Sequence, residues 1–166
     1  DQGLDRCWLL SVIVGQVAGV NYHEMEVNWY DPTVIKYYSD LPGLVAPLEP
    51  YSYAVQAGNT IYLAGQVALD KDGSIVGSTT YLQAQQIWHN IRIALTAAGA
   101  SIENIVKITY YMQDIRELDE EIKIRKDLFA PKQFPAVTAV QAAALGLPGL
   151  KLEVDIIAVL ANVWRN

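Results

Sequence analysis

The stretch FPAVTAVQAAALGLPGLKLEVDIIAVL, residues 134–160, decides the fold. It reads as two apolar strands, Ala136 to Ala144 and Lys151 to Leu160, joined by a Gly/Pro turn. Its only charged residues are Lys151, Glu153 and Asp155. Strands this apolar are covered on both faces, since a solvated face alternates strictly with polar side chains. One cover must come from helices in the same chain, and the other from a second body.

The helices lie upstream. In Thr79 to Ala98, the residues Ala84, Ile87, Ile91, Leu95 and Ala98 recur at three- and four-residue steps and mark one buried face. Gly99 stands where a C-terminal cap glycine belongs, and His89 falls opposite the apolar face, toward solvent. Arg116 to Phe129 reads as a second helix that Pro131 prevents from continuing. Ile105 to Met112, between the helices, is a strand. Ahead of them, YSYAVQA (51–57) and TIYLAGQVAL (60–69) are β-rich runs around Gly58-Asn59, a hairpin signal. KDGS at 71–74 is a second turn, and four Pro and Gly residues make 40–50 a loop: Pro42, Gly43, Pro47 and Pro50. The order is strand, strand, helix, strand, helix, strand, strand. That is an α+β domain with two helices on one face of a single mixed sheet. The opposite face is expected to be buried in an oligomer.

Composition narrows the function. The chain has 166 residues, 52% hydrophobic and 18% charged, enough for one packed domain. Twelve Lys and Arg against 18 Asp and Glu give a net charge of -6, which opposes binding to nucleic acid. The basic cluster Lys123, Arg125 and Lys126 lies among Asp119, Glu120, Glu121 and Asp127, as on a solvated helix face. A single cysteine, Cys7, leaves no internal disulfide framework and suits a cytoplasmic location. No Cys/His spacing of metal-binding type and no GxSxG elbow occur, and His23 and His89 are far apart. Neither a metal nor another cofactor is expected. Residues 1–33 are read as an N-terminal arm or extra strands ahead of a domain over 34–166. The apolar run Cys7 to Val20 has the length of a signal-peptide core but is too short to cross a membrane.

From Pro50 to Leu160 the chain resembles the Rid (reactive intermediate deaminase) family, also called YjgF. PYSYAVQAGNTIYLAGQVALD, the helix ending ALTAAGA, IVKITYYMQDI and LPGLKLEVDIIAV carry the resemblance, with the lead-in IKYYSDLPGL. It implies a chorismate-mutase-like α+β fold that forms homotrimers, with a small-molecule ligand in clefts between subunits. It also implies hydrolysis of enamines or imines released by pyridoxal-phosphate enzymes. In the best-understood members an Arg of a PARS motif clamps the substrate carboxylate through two parallel hydrogen bonds. A Glu near the end of the last strand assists the attacking water.

This sequence departs from that pattern. PARS reads PAVT, which puts Val137 at the clamp position; the Cys that often follows is Ala139. An Asn of the second helix is Ile122, and SGQ reads AGQ with Ala64 in place of Ser. The last-strand Glu corresponds to Asp155, although Glu153 also matches a family acid. Losing a charge-assisted clamp forfeits ~1.5–3 kcal/mol of direct interaction. The expected site is therefore an apolar cleft lined by Tyr51, Gly65, Ile122, Val137 and Thr138, with Asp155 as the catalytic candidate. Three functions fit it. The first is a small-molecule-binding protein, with or without hydrolysis of a non-standard imine. The second is a 2-iminobutanoate/2-iminopropanoate deaminase whose carboxylate is held by another cation, among Arg92, Lys107, Arg116 and Lys123. The third is a non-enzymatic trimeric scaffold or regulator. Ribonuclease chemistry has the least support, because no acid–base pair beside a phosphate-binding cation is visible.

Overall fold

In a computed structural model, the structure describes residues 35–160 apart from Leu48, Ala130 and Lys132. The expected arm over 1–33, with Cys7 and His23, lies outside the described residues.

The strands are β1 (Ile35–Tyr38), β2 (Ala54–Ala57), β3 (Thr60–Gln66), β4 (Ile105–Met112), β5 (Ala136–Gln141) and β6 (Leu152–Val159). The helices are α1 (Thr80–Ala97) and α2 (Leu118–Leu128), with short 3-10 turns before β4 and α2. The strands form one six-stranded sheet in the order β1-β2-β3-β6-β4-β5. The β4–β5 pair is parallel and the other four pairs are antiparallel. The mixed sheet and its two helices are those the sequence implies.

Local chemistry sets the helix ends. Thr79 caps α1, its hydroxyl accepting from the Leu82 amide at 3.2 Å. Gly99, at φ +76°, turns the chain out of α1 in a conformation that an L side chain rarely adopts. Acidic residues fill the first turn of α2 and Arg125 and Lys126 its last, matching the helix dipole. Of the basic cluster, Lys123 pairs with Glu120 at 2.7 Å.

Strand alternation separates the two sheet faces. On β6, Leu152, Val154, Ile156 and Ala158 are buried, while Glu153, Asp155, Ile157 and Val159 are only partly so. The buried set joins Ile61, Leu63, Ile108 and Tyr110 in packing with Ile87, Ile91 and Leu95 of α1 to form the core. The opposite face is open: Tyr37 is 67% exposed and Tyr62 48%.

Three features differ from the sequence reading. β1 is an additional edge strand; three of its four residues are exposed, so it carries no apolar period to read. β2 begins at Ala54 rather than Tyr51. The two closing strands are not neighbours, because β4 lies between them. The Gly/Pro turn therefore crosses the end of β4, where Ala142 N donates to Met112 O at 2.9 Å and Gln113 N to Lys151 O at 2.8 Å. A helix-containing crossover such as β4–α2–β5 favours parallel neighbours, which makes β5 the outer partner of β4.

Two irregularities flank β6. The β3 register shifts between Leu63 and Gln66, and the β4 register shifts between Ile105 and Lys107. Each adds a residue to one strand and reverses the facing of the side chains beyond it. Ile105 is buried, as are Ile108, Tyr110 and Met112. The bulge at Val106 is what turns Lys107, Thr109 and Tyr111 to the open face.

Candidate functional site

The acids of β6 stand on that open face. Glu153 and Asp155 line a hollow of about 270 Å³ together with Gly65, Tyr111, Ala142 and Gly146. Gly65 belongs to the β3 bulge, and a Cβ there would lie 1.9 Å from Glu153 Oε1. Only a residue without a side chain lets the carboxylate occupy that position. Partial burial, and secondarily the charge of Asp155, raise the Glu153 carboxyl above the usual carboxylate range.

A row of side chains crosses the sheet from there. Asp155 pairs in register with Thr109, and Thr109 with Thr138. Lys107, one row along β4, donates from Nζ to Thr138 Oγ1 at 2.5 Å. The open face thus carries acids on β6, hydroxyls on β4 and β5, and an ammonium at the far end.

The other residues expected at the site lie elsewhere in a single chain. Val137 pairs with Ile108, which places it on the helix-bearing side of the sheet at its outer strand, 38% exposed. Ile122 is partly buried on α2. Tyr51 lines a separate hollow at the β1–β2 end with Tyr37, Ser39 and Ser52, its ring edge-on to Tyr53 with centroids 5.5 Å apart. One chain therefore brings together Gly65, Asp155 and Thr138 on one face, and keeps Tyr51, Val137 and Ile122 apart from them. His89 is exposed on the outer surface of α1, as its helical position implied.

Two residues gain weight from the structure. Glu153 was legible as a family acid, and its spacing of two from Asp155 already put both on one strand face. Lys107 was one cation among four, and the bulge that aims it has no sequence signature.

Away from this face, Glu121 of α2 is fully buried and accepts a hydrogen bond from Tyr110. Arg125 Nε lies 3.6 Å from its other oxygen, and burial raises the Glu121 carboxyl. This cluster ties α2 to the sheet. Among the described residues, no group of three or more His, Cys, Asp and Glu side chains is placed to hold a metal ion, and no helix is long and apolar enough to cross a membrane.

The family described as Endoribonuclease L-PSP matches residues 43–160, which span β2 to β6 and every residue of the hollow. The chain belongs to the Rid/YjgF family. Among Rid relatives, the 2-iminobutanoate/2-iminopropanoate deaminase of Mus musculus is 38% identical over 115 residues, 69% of this chain and 84% of that one. A RutC family protein of Pyrococcus horikoshii is 34% identical over 113 residues, covering 68% and 88%. A solved Rid family protein of unknown function from Yersinia pestis superposes with a TM-score of 0.71 at 27% identity, covering 76% of this chain and 100% of its own. The sheet order and helix placement above are thus those of a Rid domain.

Proposed function

We propose that this Rid protein hydrolyses small imines or enamines in the hollow formed by Gly65, Tyr111, Glu153 and Asp155, with Glu153 as the base. One observation carries the reading: a partly buried carboxylate with a raised pKa, seated against a glycine that leaves space only for it. A base whose pKa approaches the working pH transfers protons most effectively. Glu153 takes a proton from water as the water oxygen bonds to the imine carbon. It passes that proton to the imine nitrogen, giving a carbinolamine, and then carries the remaining hydroxyl proton to the same nitrogen as the C–N bond breaks, leaving a carbonyl compound and ammonia. Relatives named 2-iminobutanoate/2-iminopropanoate deaminase support the reaction class. Asp155, which led the sequence reading, acts here on the pKa of Glu153.

A homotrimer with the ligand between subunits fits the same observations. Tyr51, Val137 and Ile122 reach the acids only if another copy brings them, and the open face offers Ile35, Tyr37 and Tyr62 for that contact. Val137 favours a second reading, binding of an uncharged ligand without turnover, because an apolar side chain stands at the expected clamp position. RNA cleavage, which the family description names, finds no support in a face whose floor is two carboxylates.

The test is ammonia release from 2-iminopropanoate generated in situ. Native protein should accelerate it, Glu153→Gln should lose about 10²-fold or more in kcat, and Gly65→Ala should lose activity while keeping its fold. No acceleration by native protein, with a ligand still bound, would favour the second reading.

A further inference from the structure

We propose that Lys107, its ammonium seated on Thr138, is the cation that holds the carboxylate of the substrate in place of the guanidinium missing at position 137; this rests on the imine-hydrolase reading above. Three observations converge on it. The β4 bulge between Ile105 and Lys107 turns this lysine to the face that carries Glu153 and Asp155. Its Nζ donates to Thr138 Oγ1 at 2.5 Å, an exposed contact that keeps the ammonium on the open face in the row of Asp155 and Thr109. Among the described residues it forms no ion pair, a property it shares with Lys36, Arg92, Lys126 and Lys151, but its hydrogen bond places it in the row of Asp155 and Thr138.

Distance fits as well. From Asp155 of β6 to Thr138 on β5 is two strand spacings, roughly 10 Å, and from Glu153, two residues away along β6, roughly 12 Å. A carboxylate–water–imine carbon–carboxylate–ammonium sequence needs two hydrogen bonds of ~2.8 Å, an attack distance of ~3 Å and the intervening covalent bonds. A nearly extended arrangement of that kind, with side-chain reach at either end, spans the gap with a small α-imino acid. Thr109 lies beneath its middle, where a hydroxyl can hydrogen-bond the imine nitrogen. The charge order also selects orientation: an anionic end placed at β6 meets two acids, so the carboxylate goes to Lys107. An ammonium is a point donor without the two-pronged geometry of guanidinium, so the substrate is held less tightly than a clamp arginine would hold it.

The experiment compares native protein with Lys107→Met and Lys107→Arg on 2-iminopropanoate and on a neutral imine without a carboxylate. Lys107→Met should lower the ratio of kcat/KM for the anionic over the neutral substrate by tenfold or more, chiefly through KM, and Lys107→Arg should recover most of it. An unchanged ratio in Lys107→Met overturns the proposal. If no variant turns over any imine, the hydrolase reading fails and binding decides about Lys107. Calorimetric binding of 2-oxobutanoate by native and Lys107→Arg but not by Lys107→Met then supports the cation role. Equal binding by all three, or binding by none, overturns it.

Discussion

Glu153 shows how a neighbour can tune a base. Its carboxyl is raised first by burial and then by Asp155, two residues along the same strand face. A general base works only when deprotonated, so activity falls as pH drops through this raised value. The acidic limb of kcat/KM should lie above the ordinary Glu range of about 4.3. Asp155→Asn removes a negative neighbour, so Glu153 gives up its proton more readily and the limb should move to lower pH. A pH–rate profile of the two proteins checks the sign; a limb that stays put means that Asp155 has no electrostatic part in the site. At this scale the sequence was informative where chemistry depends on residue type and period. The pairing of Glu153 with Asp155 on one face follows from a spacing of two. That Gly65 faces Glu153 does not, because a bulge offsets the register between them.

The connection between β5 and β6 is held by one buried side chain. Gln83 of α1 donates to the Gly77 and Gly149 carbonyls at 3.1 and 2.9 Å and accepts from the Lys151 amide at 2.7 Å. It thereby fixes the segment in which Gly146 borders the hollow. Replacing it with Leu leaves part-buried backbone groups unpaired, which costs about 1 kcal/mol or more. Gln83→Leu should lower the denaturation midpoint accordingly, with the slope unchanged. An unaltered midpoint would mean that water reaches those groups. Apolar period located α1, β4 and β6 within a residue or two. It could not find β1, an exposed edge strand, nor show that β4 separates the last two strands. Pairing order depends on crossover geometry, which no local pattern records.

For the whole molecule, the open sheet face is the dominant feature. The sequence implied a second body on that side, and the structure leaves Tyr62 48% exposed near its middle, paired in register with Ile157. If copies of the chain meet there, Tyr62→Lys places an unpaired charge in the contact. Light scattering after size exclusion should then show native protein as a trimer and Tyr62→Lys shifted toward monomer, with unchanged far-UV circular dichroism. A native monomer at tens of micromolar would exclude this assembly. Assembly was an expectation that rested only on a surplus of apolar surface, since contact between copies leaves no periodicity of its own.

The extra residue at Val106 carries a wider consequence. Insertions and deletions in this strand act as a switch of facing, independent of substitution. A lineage could move a cation into or out of reach of the ligand by changing strand length by one, with every core position and the overall composition left intact. Aligned columns would register such an event as a gap and miss the change in chemistry.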